Sequence, residues 1–170
     1  NRKECLRTLK KLGFQTGTGM MIGSPFQKLE NIAGDLIFMQ EIKPEMIGIG
    51  PFLPHKDTPF ANEKIGELEL TLILISVLRL IFPLSLIPAT TALGTIKEGG
   101  RELGILHGAN VVMPNLSPMN VRKKYLLYNN KISTGTESAE GVELLRESID
   151  KIGYVLTGAR GDFDRKRKLK

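Results

Sequence analysis

Four short apolar runs, residues 14–22, 46–50, 86–90 and 109–113, constrain this chain more than any other feature, because none of them alternates polar with apolar side chains. A strand that faces water on one side alternates, so an unalternating run is one covered on both faces, as in a parallel sheet flanked by helices. Helical periodicity fills the gaps between the runs. Cys5, Leu6, Leu9 and Leu12 recur at helical spacing and Gly13 follows as a left-handed stop, predicting a helix over about residues 2–12. Leu29, Ile32, Ala33, Leu36 and Ile37 mark a second helix ending near Lys43 and Pro44, and residues 66–82 and 99–107 read as a third and a fourth. The expected architecture is α/β, with four parallel strands alternating with helices. Beyond Pro114 come a basic, tyrosine-bearing segment to Lys131, a Ser/Thr/Gly loop, a helix near 138–152 and a short strand over 154–157.

Cysteine and charge narrow the chemistry. One cysteine among 170 residues leaves no disulfide framework, no four-cysteine zinc site and no self-contained iron-sulfur site. The net charge of +6 is concentrated: residues 160–170 hold six basic side chains against Asp162 and Asp164, and so carry +4 of it. This reads as a solvated, disordered tail and not as a nucleic-acid surface. The longest apolar stretch, 70–82, is interrupted by Thr71, Ser76 and Arg79 and stopped by Pro83, too short for the roughly 20 residues of a membrane span. The first residue is not methionine, which suggests a chain beginning partway through something longer.

Ligands of parallel α/β sheets bind at the carboxyl ends of the strands, here the loops 23–27, 51–62, 91–98 and 115–121. Gly17, Gly19 and Gly23 fall one residue off the dinucleotide fingerprint and read first as close backbone packing. His55 and Asp57 share a proline-flanked loop and His107 ends a helix, spacings that match no metal motif. Loop hydrogen bonding suits His55 and a helix C-terminus suits His107. Thr90 and Thr91 close a buried run, Tyr125 and Tyr128 stand one helical turn apart, and Cys5 lies on the apolar stripe of the first helix as a core residue. No nucleophile elbow, phosphate loop or pair of catalytic carboxylates is present, so no catalytic residue is assigned.

Four segments carry a resemblance beyond pattern: GMMIGSPFQ at 19–27, MIGIGPFLPHKDTPFA at 46–61, IPATTALGT at 87–95 and ANVVMPN at 109–115. They are similar to the HydE family, the radical S-adenosylmethionine (SAM) maturases of [FeFe]-hydrogenase in the biotin synthase-like superfamily. The resemblance runs from Asn1 to about Lys131 and fades after Ser133. It implies that residues 1–131 are the C-terminal half of a (β/α)8 TIM barrel, strands five to eight, with a C-terminal extension over 132–159 and the basic tail over 160–170.

The resemblance also implies cofactors and roles. The family holds a [4Fe-4S] cluster through a Cys-x3-Cys-x2-Cys motif in the missing N-terminal half; the present chain lacks it and would be inactive alone, with no metal ligand of its own. The parent enzyme would cleave SAM to a 5'-deoxyadenosyl radical acting on a small organometallic iron precursor of the hydrogenase H-cluster. Arg2 matches the arginine that pairs with the SAM carboxylate. Gly19, Met21, Gly23 and Ile49 match the adenosine-binding segments, Tyr125 and Tyr128 the tyrosine pair near SAM, and Thr90, Thr91 and Met113 the lining of the substrate cavity. Phe26 stands where a glutamate is often found. Expected partners are the missing half of the barrel or a second copy at the open sheet edges, and other hydrogenase maturases, in the cytoplasm, with neither nucleic acid nor membrane. Biotin synthase fits less well, since 14–22 has no cysteine and 86–90 no arginine; a methylornithine synthase-like mutase and a nonenzymatic half-barrel module are the alternatives.

Overall fold

The computed structural model describes residues 1–122, 124, 128 and 138–166. Helix α1 (Arg2–Lys11) leads into strand β1 (Gly17–Ile22), helix α2 (Leu29–Ile42) into strand β2 (Met46–Pro51), and helix α3 (Leu68–Ile81) into a third extended segment. Short helices α4 (Thr91–Ile96) and α5 (Gly100–Leu106) precede a fourth, followed by α6 (Met119–Arg122) and α7 (Ser138–Lys151).

β1 and β2 pair in parallel, with Gly17 opposite Met46 and Ile22 opposite Pro51. The period of two divides them into unlike faces. Ile22, Ile47 and Ile49 are fully buried against Ile75 and Leu78 of α3 and Met39 of α2, the centre of the hydrophobic core. The opposite face carries Gly17, Gly19 and Met21 beside Met46, Gly48 and Gly50, with the β1 members exposed. At Gly19 any Cβ would collide with the Gly48 carbonyl oxygen, so the two strands come together only because a side chain is absent.

The expected third and fourth strands form single parallel bridges, Met46 with Leu86 and Pro88 with Val111, and not regular ladders. Their chemistry explains the interruption. Pro88 has no N–H to donate, and the N–H of Ile87 is taken at 2.8 Å by the Asn110 side chain. Residues 91–98, expected as a loop, contain α4, and residues 154–157, expected as a strand, form none. There Arg146 of α7 holds the Leu156 carbonyl at 3.0 Å. Cys5 is also corrected: it is exposed, as α1 buries none of its residues.

The polar residues that interrupt α3 are each accounted for. Thr71, fully buried, returns its hydroxyl to the Glu67 carbonyl (2.8 Å), and Ser76 reaches the His107 carbonyl (3.0 Å). Arg79 donates to the carbonyls of Gly108 (2.7 Å), Phe82 (3.2 Å), Pro83 (3.0 Å) and Ser85 (2.9 Å), gathering the chain that leads to the third segment. No helix among the described residues is long and apolar enough to cross a membrane.

At the amino ends of the strands, the buried Glu45 carboxylate accepts the N–H (2.8 Å) and hydroxyl (3.1 Å) of Thr16 and pairs with Lys10 at 2.7 Å. The C-terminal segment reaches the same place. Gln15 and Phe163 exchange hydrogen bonds, and Arg165 donates to the Gly13 carbonyl at 2.8 Å and lies 3.9 Å from Glu45. Burial disfavours the Glu45 anion, but Lys10 and Thr16 outweigh it and hold the carboxyl below its ordinary 4.5. A depressed folded-state pKa supplies stability that is present above about pH 4.5 and lost as the pH falls through the folded value. The melting temperature of the wild-type protein is therefore expected to fall on acidification below pH 4.5 more steeply than that of Glu45→Gln; parallel curves would remove Glu45 from the account.

Candidate functional site

Two hollows meet at Gly48 on the glycine-bearing face of the β1–β2 pair. The lower, of about 520 Å3, is bounded by Arg2, Cys5 and Leu6 of α1 and by Gly17, Gly19 and Met46. The upper, of about 440 Å3, lies toward the carboxyl ends of the strands and is walled by Met20, Met21, Ile49, Phe52, His55, Thr90 and Tyr128. Glycines 48 and 50 leave its floor as bare peptide. Phe52 and Phe60 meet edge to face, with centroids 6.4 Å apart, and close one side.

The loops around this site are tied down by their own side chains. After β1, Gln27 accepts the Gly23 N–H (2.8 Å) and donates to the Met21 carbonyl (2.9 Å), while Phe26, exposed, takes a left-handed backbone (φ 66°). After β2, the Phe52 N–H bonds to the Ile22 carbonyl (2.7 Å) and the Gly66 N–H to the Phe52 carbonyl (2.9 Å), returning the long loop to the strand ends. A Cβ on Gly66 would strike the Ile22 carbonyl oxygen, so this return also needs glycine.

Polar groups in the upper hollow are few. The Thr90 hydroxyl is buried and has no hydrogen-bond partner among the described residues, a state that costs free energy unless something else fills the cavity. Burial pushes the Tyr128 phenol above its ordinary range, against a hydrogen bond with Thr95. His55 accepts the Asp57 N–H at Nδ1 (3.1 Å), and its own carbonyl accepts the Thr58 hydroxyl (2.8 Å).

The residues singled out in the sequence are thus distributed unevenly. Arg2 and Gly19 share the lower hollow, and Met21, Ile49, Thr90 and Tyr128 the upper. Gly23 borders a separate depression beside α2, where its positive φ of 77° and its contact with Gly66 give it a backbone role. Thr91 and Met113 border a small recess with Arg101 and Asn115, apart from Thr90. Tyr125 lies outside the described residues. The Phe52–Phe60 wall was not anticipated; its signal was the phenylalanine spacing within the 51–62 loop.

Two groups can be tested against these residues. An iron-sulfur cluster does not fit: the single cysteine is exposed on α1, and among the described residues no three His, Cys, Asp or Glu side chains converge as metal ligands. SAM does fit, since Arg2 is an exposed cation at one end of the joined hollows and the orphaned Thr90 hydroxyl stands at the other, over a floor stripped of side chains.

No protein-family model matches the chain. It is 46% identical, over 153 residues and 90% of its length, to the [FeFe] hydrogenase maturase subunit HydE of Thermotoga maritima, covering 44% of that protein. It is 33% identical over 117 residues to 3-methylornithine synthase of Methanosarcina barkeri, covering 69% of this chain and 33% of that one. The crystal structure of methylornithine synthase superposes with a TM-score of 0.68 at 24% identity, covering 92% of this chain and 44% of that one, and shows the fold. Both relatives are radical SAM enzymes, and the chain spans less than half the length of each. In sequence the chain is similar to part of the radical SAM maturase HydE, and in fold to part of its biotin synthase-like relative methylornithine synthase.

Proposed function

We propose that this chain is the C-terminal half of a radical SAM (β/α)8 barrel acting in the assembly of the [FeFe]-hydrogenase H-cluster, on a small organometallic iron precursor. The observation that carries the reading is the 46% identity over nine-tenths of the chain. The bare face of β1 and the uncovered α1 agree with it, since both offer surface for the other half of a barrel. The cluster ligands belong to that other half, and the protein would work in the cytoplasm.

In this reading the joined hollows hold SAM, which supplies radical chemistry when bound. Arg2 neutralises the methionyl carboxylate, and Gly19, Gly48 and Gly50 let the ligand approach the peptide backbone closely. Met21 packs on the adenosine, which meets the backbone of β2 at Ile49; Tyr128 closes over it, and Thr90 donates its hydroxyl into the cavity. Thr91 and Met113 line a second compartment.

Deleting the parent gene is expected to leave hydrogenase inactive, and normal hydrogenase activity would defeat the reading. Arg2→Gln in the parent should weaken SAM binding about 10–100-fold, the value of a charge-assisted hydrogen bond, measured by calorimetry under anaerobic conditions. Unchanged affinity would remove Arg2 from the site. The similarity to methylornithine synthase supports a second reading, a methylornithine synthase-like mutase, which formation of 3-methylornithine by the parent would favour.

A further inference from the structure

His55 is the polar side chain of the upper hollow that the reading above leaves without a task. Its surroundings hold its position and engage Nδ1, which lies 3.8 Å from the Asp57 carboxylate. Pro54 and Pro59 flank the turn, and the His55 carbonyl accepts the N–H (3.1 Å) and the hydroxyl (2.8 Å) of Thr58. The ring accepts the Asp57 N–H at Nδ1, 3.1 Å away. A nitrogen that accepts carries no proton, so the neutral imidazole bears its hydrogen on Nε2. Nε2 has no partner among the described residues, and the side chain is only 20% exposed. A donor is thus held by its own loop in the wall of a cavity with few polar groups, above a floor of bare peptide at Gly48 and Gly50.

We infer that His55 is a specificity-determining residue that donates Nε2–H to a ring-nitrogen acceptor of a flat heteroaromatic group, the adenine of the bound nucleoside. This rests on the reading that the hollow takes SAM. The floor of backbone favours a planar ring, the methionines and Phe52 cover its faces and edges, and a donor fixed in the wall distinguishes a ring that offers an acceptor from one of the same shape that does not.

Asparagine and glutamine separate the two ends of the imidazole. The amide of His55→Asn can still accept the Asp57 N–H, but it has no donor at the Nε2 position. His55→Gln places an N–H near Nε2 and gives up the turn contact. The test is anaerobic calorimetry of the reconstituted parent with S-adenosylhomocysteine and with its 1-, 3- and 7-deaza adenine analogues. His55→Asn is expected to bind S-adenosylhomocysteine about tenfold more weakly than wild type, and His55→Gln within about threefold. One deaza analogue should bind the wild type about tenfold more weakly and show no further loss in His55→Asn. Wild-type affinity in His55→Asn, or an equal loss for the natural ring and every deaza analogue, would overturn the inference. So would a parallel loss of affinity and melting temperature in both variants, which marks a structural role. Failure of the wild type to bind S-adenosylhomocysteine would instead overturn the SAM reading itself.

Discussion

Arg79→Met is expected to destabilise the chain by about 4 kcal/mol, among the larger effects a single substitution produces. The methionine keeps the aliphatic stem but leaves the carbonyls of Phe82, Pro83, Ser85 and Gly108 without the donor that gathers them. The part-buried carbonyls of Gly108 and Ser85 lose a charge-assisted donor at about 1–3 kcal/mol each, whereas the Phe82 carbonyl keeps the Ser85 N–H and the Pro83 carbonyl is exposed to water. Lysine cannot restore the arrangement, because a single ammonium lacks the planar fork that reaches several carbonyls at once. Arg79→Lys should therefore recover less than half of the loss. Urea unfolding of the wild type and both variants measures it, and a change below about 1 kcal/mol in Arg79→Met would show that the carbonyls find other partners. The effect should extend to the site, since residues 82–85 lead directly into the segment that ends at Thr90.

Gly19→Ala is expected to cost about 3 kcal/mol, the upper range for forcing a methyl group into filled space, and to lower the melting temperature by about 10 °C. The added carbon would overlap the Gly48 carbonyl oxygen, and neither atom belongs to a flexible side chain that could swing aside. Relief requires β1 and β2 to separate, which disturbs the regular ladder and the floor on which the two hollows meet. In the parent, SAM affinity should fall at least tenfold together with stability. Gly34→Ala is the control, because a Cβ there meets nothing within 4 Å and alanine suits a helix interior. If Gly19→Ala melts with the wild type, the strands have more freedom than this geometry allows.

Much of the fold was legible because burial on both faces leaves a plain mark on a sequence. β1 and β2 appeared as apolar runs, and α1, α2, α3, α5 and α7 as periodic stripes, within a residue or two of their limits except that β1 starts three residues after Phe14. The third and fourth runs were read as strands because apolar composition records burial and not hydrogen bonding; Pro88 and the Asn110 side chain decide the latter. α4 escaped notice because six residues ending near Lys97, Glu98 and Gly99 look like a turn. Cys5 reads as core from the stripe, which shows that a face is apolar and cannot show what covers it. The site was less legible than the fold. Gly19, Met21, Ile49, Thr90 and Tyr128 came from family resemblance, and periodicity alone would have left the glycines as packing and the threonines as structural. Thr90 and Thr91 were expected in one cavity, but the first precedes α4 and the second begins it, and they border different hollows.

The exchange of hydrogen bonds between Gln15 and Phe163 spans 148 positions of the chain. A contact so distant in sequence must wait for nearly everything between its ends to be organised, and loop closure over that span returns little beyond these two bonds and the contacts of Arg165 with Gly13 and Glu45. It should form late in folding and open early in unfolding, without the core noticing. Amide hydrogens of residues 160–166 would then exchange orders of magnitude faster than those of β1, although both meet at the same end of the molecule.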